Sequence, residues 1–97
     1  MIYVIAELQF KPGAPESAFE QARNLIAETN KEDGCISYDM HRSITDPDRI
    51  VVVERWKSRE ALSQHFETPH MKAWRATSDF VLERKIDVIT PEKVDSL

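Results

Sequence analysis

The sequence predicts an α+β fold of the ferredoxin-like type, β-α-β-β-α-β with one antiparallel sheet. Three observations carry this: two segments that alternate with period two at the ends of the chain, one long amphipathic segment, and a turn-rich Thr45-Asp46-Pro47-Asp48 joining two β-type runs. From Ile2 to Phe10, the residues Ile2, Val4, Ala6, Leu8 and Phe10 fall on one face and Tyr3, Ile5, Glu7 and Gln9 on the other, which predicts a strand. Lys11-Pro12-Gly13 breaks it. Pro15 suits a first helical turn, and Ala18, Phe19, Ala22, Leu25, Ile26 and Thr29 recur at helical spacing, so a helix is expected over about residues 15–31. Asp33-Gly34 ends that helix, and Cys35 to Ser43 and Ile50 to Lys57 read as a hairpin. Ser58 can cap a short helix carrying Ala61, Leu62 and Phe66. Thr68-Pro69 can start another, with threonine as cap and proline in the first position, and His70, Met71, Trp74 and Ser78 on its stripe. Phe80 to Thr90 alternates again, and Pro91 stops it. The whole, residues 1–97, is expected to be a single domain with its core in 2–90 and a short polar tail in 91–97.

Composition narrows the partners. The net charge is −4, and the basic residues are scattered rather than clustered, which disfavours nucleic acid and anionic membrane. Cys35 is the only cysteine, so no internal disulfide can form, and no Cys/His spacing resembles a structural zinc site. A reducing cytoplasm is the expected compartment. The apolar opening is ten residues long and lacks a basic start or a small-residue cleavage site, so it reads as neither signal peptide nor membrane span.

The strands are apolar on both faces: Tyr3 and Ile5 oppose Val4 and Ala6, and Val51 and Val53 oppose Ile50 and Val52. Helices cover only one side of such a sheet. Leaving several Val, Ile and Tyr side chains wet, at ~25 cal/mol per Å2, forfeits several kcal/mol of the ~5–15 kcal/mol a small domain has. A homodimer packed sheet against sheet is therefore expected.

Residues 54–74 hold both tryptophans and two of the three histidines. An imidazole exchanges a proton near neutral pH, and an indole suits an aromatic ligand, so an acid–base pocket for a ring is expected here. His65, three positions after Leu62, is the first candidate for a base or ligand-orienting donor, set against a structural histidine. His70 sits in a first helical turn, where capping or packing is the expected role, with ligand orientation as the alternative. Phe66 and Trp74 read as core at helical spacing, with substrate contact as the alternative. Tyr38 can donate its hydroxyl, but its strand parity is opposite to that of His41, which favours a dimer-interface role for it. Glu54 shares parity with Trp56 and is expected to be buried in an ion pair with Arg42, Arg55, Arg84 or a histidine, with a second catalytic base as the alternative, and is grouped with the substrate-contacting residues. Cys35 reads as an inert small hydrophobe.

Glu32-x-Gly34-Cys35-x-x-Tyr38, Asp46-Pro47, Glu54-x-Trp56-x-Ser58 and His65-x-x-Thr68-Pro69-His70-Met71-Lys72, taken in this order and spacing, resemble the antibiotic-biosynthesis monooxygenase domain family, in particular its small quinol-monooxygenase-like members. The resemblance covers about residues 2–90. It implies a dimeric α+β barrel with a pocket between sheet and helices in each subunit, and oxygenation of phenols or quinols by O2 with no cofactor and no metal. It also places Trp56 at the pocket wall and gives His41 a pocket position, as in the antibiotic-forming branch, against the alternative of a solvent-exposed strand histidine. That branch has a strand asparagine where this chain has Val52, which is grouped with the substrate-contacting residues. Haem-degrading relatives use a first-strand asparagine and a histidine on the last helix; near Ala6 and Arg75 this chain has neither, which disfavours haem. Two alternatives stand beside the oxygenase: enolisation of a small phosphorylated dione, with Arg55, Lys57 and Lys72 as nearby cations, and binding of a small aromatic without turnover.

Overall fold

The computed structural model describes residues 1–97. Its elements are β1 (Ile2–Phe10), α1 (Glu16–Thr29), β2 (Cys35–Arg42), β3 (Arg49–Trp56), α2 (Arg59–Phe66), α3 (Pro69–Thr77) and β4 (Val81–Ile89). The second helical unit is split where the sequence splits it. Ser58 caps α2 by accepting the Ala61 N–H, and Thr68 caps α3 by accepting the Met71 N–H, with Pro69 in the first turn. Helix α1 starts without a side-chain cap, and its C-terminal end is closed by Asn30.

The sheet runs β2-β3-β1-β4 with every neighbouring pair antiparallel, the ferredoxin-like arrangement. Register aligns the helix-side residues into rows: Tyr38, Glu54, Val4 and Val88; then Met40, Val52, Ala6 and Ile86; then Arg42, Ile50, Leu8 and Arg84. Beneath the helices Ile2, Val4, Ala6, Leu8, Phe10, Ile50, Val52 and Trp56 are buried against Ala18, Ala22, Leu25, Leu62 and Trp74. One end of this layer is sealed by aromatic edges, with Phe80 meeting Phe10 at 5.0 Å and Trp74 at 5.6 Å between ring centroids. The other sheet face carries Tyr3, Ile5, Val51 and Val53, all half-buried, in a border of Arg49, Arg55, Asp39, Lys85 and Asp87.

Two details place the site. Gly34 follows α1 at φ +89°, and a Cβ there would meet the Ala61 Cβ at 2.6 Å, so only glycine lets the turn into β2 lie against α2. A register shift then occurs between Cys35, opposite Trp56, and Ser37, opposite Arg55. Parity counted from Cys35 therefore fails beyond the shift. Tyr38 and Met40 turn toward the helices, and His41 turns away from them.

Candidate active site

Between the sheet and the α2–α3 pair lies a cavity of about 140 Å3. Its floor is the first two rows described above without Val88, plus Leu8 and Arg84, and its roof is His65, Phe66, Met71, Trp74 and Arg75. The hollow follows from side-chain size: Ala6 stands between Val52 and Ile86 and has only a methyl group to offer. A dry cavity of ~150 Å3 accommodates a benzene-sized guest, so the space fits a single ring.

His65 is 1% exposed. Its Nδ1 donates to Glu32 Oε2 at 2.6 Å, because a carboxylate can only accept, and its Nε2 has no partner within the chain. The same oxygen accepts from His70 Nε2 at 2.7 Å. One carboxylate thus joins the end of α1 to α2 and α3, and it fixes the tautomer of His65 with the lone pair on Nε2. The His65 ring packs 4.8 Å from Trp56 and 5.6 Å from both Tyr38 and Phe66. Burial holds the His65 imidazole below its ordinary pKa; the Glu32 hydrogen bond and charge oppose this, and His70 and Arg75 add to it. The ligand-type atoms of Glu32, His65 and His70 lie within 4.8 Å of one another, so this trio is also where a divalent metal could be held.

Glu54 has no ion-pair partner, contrary to the sequence expectation. Its Oε1 accepts the Trp56 indole N–H at 3.0 Å, because strand register puts Arg55 on the opposite face and Arg84 reaches Ser78 instead. Burial pushes the Glu54 carboxyl up to about 7, the Trp56 bond opposing and Glu32 adding to the rise. Tyr38 is buried in the cavity wall rather than lying on the outer face, with its phenol raised by burial and by Glu54, Glu32 and Cys35, so it stays protonated. Asn30 fixes it there, bridging to the Tyr38 backbone through both N–H and C=O. The Cys35 thiol is pushed up to about 11 by burial and by Glu32 and Glu54, which suits an inert hydrophobe.

The other expected site residues divide cleanly. Val52, Phe66 and Trp74 line the cavity. Trp56 is fully buried behind His65 and does not line it; His70 lies beyond Glu32, at a separate shallow recess between α1 and α3. His41 stands on the outer sheet face, 59% exposed in its side chain and 4.0 Å from Asp39, away from the other two histidines. Arg55, Lys57 and Lys72 are outside the cavity: Arg55 lies over Tyr3 on the outer face, Lys57 borders a recess near Gly34, and Lys72 is exposed. The sequence reading did not single out Glu32, Met71, Arg75 or Arg84 as site residues. For Glu32 the one available signal was its place in the Glu32-x-Gly34 motif.

The antibiotic biosynthesis monooxygenase model matches residues 1–77. This chain belongs to that family. Among antibiotic biosynthesis monooxygenase relatives, it is 34% identical over 102 residues to the Escherichia coli K12 protein described as "Probable quinol monooxygenase YgiN", covering 94% of this chain and 98% of that one. The solved structure of Rv0793 from Mycobacterium tuberculosis superimposes with a TM-score of 0.88 at 31% identity, covering 98% of both chains. PA3566 from Pseudomonas aeruginosa gives 0.85 at 28%, covering 95% of this chain and 94% of the other. No helix is long and apolar enough to cross a membrane.

Proposed function

We propose that this member of the family is a cofactor-independent monooxygenase that oxidises a small quinol or phenol with O2, working in the cytoplasm as a homodimer packed sheet to sheet. The observation that supports this most is His65: a buried imidazole whose Nδ1 is tied to Glu32 and whose Nε2 is free, in the wall of an apolar, ring-sized cavity.

Triplet O2 reacts slowly with closed-shell organics, but an electron-rich phenolate can pass it one electron, after which the two radicals combine. The substrate supplies the electrons. His65 Nε2 takes the phenolic proton, and the Glu32 carboxylate stabilises the imidazolium that forms. The protonated Tyr38 phenol is a donor for a substrate oxygen. O2 bonds to a ring carbon, and the peroxide takes up a proton and loses water. For 1,4-dihydroxybenzene, one quinol and one O2 give one hydroxybenzoquinone and one water. Glu54, titrating near neutrality, is a suitable proton source for that step. The pair thus combines a base held low and an acid held high in one chamber with mostly apolar walls.

The test is oxygen uptake with a panel of quinols, comparing wild type with His65→Ala. Uptake by the wild type should fall by about 10²–10⁴-fold in the variant, the usual worth of a general base. The acid limb of kcat/KM should lie below pH 6.5, because burial lowers His65 from that value. Equal uptake by the two proteins would remove His65 from the mechanism.

A further inference from the structure

The cavity wall contains two guanidiniums and one carboxylate, and the charges do not cancel. Arg75 and Arg84 both line it, and neither is within ion-pair distance of any acidic side chain. Each spends one N–H on a neutral acceptor at 2.8 Å: Arg75 on the Phe66 carbonyl, Arg84 on the Ser78 hydroxyl. A guanidinium has five N–H donors, so most of theirs remain free. The only acid lining the cavity is Glu54, which sits in the row of the floor farthest from Arg84 and whose carboxyl burial pushes up to about 7, so that it carries only part of a charge near neutrality. In a chain of net charge −4, an apolar chamber with a cationic mouth is a local exception.

The row containing Glu54 and Tyr38 is next to His65, and the row containing Arg84 is four residues away along the strands, about 14 Å between backbones at a rise of ~3.4 Å per residue. Arg75 lies one helical turn after Met71 on the roof. A flat ligand therefore has a proton acceptor at one end, with Arg75 beside it on the Phe66 carbonyl, and the Arg84 fork at the other. Resting on the quinol-site reading, we infer that the substrate of this cavity is a single-ring quinol carrying an anionic substituent, a carboxylate in particular, which Arg84 holds while His65 meets a ring hydroxyl.

The test is calorimetric binding, without oxygen, of two probes equal in shape and unequal in charge: 2,5-dihydroxybenzoate and 2,5-dihydroxybenzamide. The benzoate should bind the wild type about tenfold more tightly or better at low salt, the range of charge-assisted hydrogen bonds. The difference should shrink as salt rises. Arg84→Gln should erase most of the preference by weakening the benzoate far more than the benzamide, and Arg84→Lys should restore part of it. Equal affinity for the two probes, no binding of either, a preference that survives Arg84→Gln, or displacement of the benzoate by an equal concentration of inorganic phosphate would overturn the inference. Because oxygen is absent, a protein that shows the preference but never consumes O2 would refute the oxygenase reading and leave this one standing.

Discussion

Glu54 and His65 face one cavity with opposite charge preferences, and each leaves a mark on stability. For Glu54 the folded value, about 7, lies above the ordinary 4.5. Its contribution is therefore fully present below pH 4.5 and is lost as pH rises through about 7. The loss is on the order of 3 kcal/mol. His65 has the reverse sign: its lowered value means stability present above pH 6.5 and lost on acidification. Glu54→Gln isolates the first effect, since the amide oxygen can still accept from Trp56. The variant should match wild type in thermal unfolding at pH 4.5 and exceed it at pH 8.5. Equal unfolding at both pH values would mean that Glu54 is ionised without penalty. That Glu54 would be buried was legible in its strand parity; its actual partner was not, because an indole two residues away on the same strand is less obvious than an arginine.

At the scale of elements, the turn between α1 and β2 does the most for the site. Within seven residues it supplies Glu32 to both histidines, the left-handed Gly34, the register shift after Cys35, and the inward Tyr38. Gly34→Ala should cost about 2 kcal/mol or more, from the left-handed backbone and the 2.6 Å contact with Ala61 together. Chemical denaturation would show it; an unchanged midpoint would mean the turn relaxes freely. Element boundaries were readable to within a residue or two because alternation, Ser58, Thr68-Pro69 and Gly34 are local signals. The register shift was not readable. It depends on pairing with β3, and it put Tyr38 rather than His41 in the cavity. Nor was the Glu32–His65 bond, which joins residues 33 apart.

For the whole molecule, the half-buried Tyr3, Ile5, Val51 and Val53 make the outer sheet face the expected dimer surface. Val53→Lys puts a charge at its centre and should convert a dimer to a monomer in sedimentation equilibrium, while a wild type already monomeric at micromolar concentration would refute the arrangement. That this face is apolar could be seen in the sequence as strands with two oily sides.

The sheet order also leaves β4 as an edge, with a row of free backbone groups open to any extended chain. If two copies joined there in antiparallel fashion with the fullest overlap of Val81–Ile89, Lys85 would stand opposite Lys85 and each Glu83 opposite an Asp87. Like charges directly across a strand pair repel. The β4 margin of the sheet thus resists pairing with a second copy of itself, a route to aggregation that the broad side, with neutral side chains at its centre, does nothing to prevent.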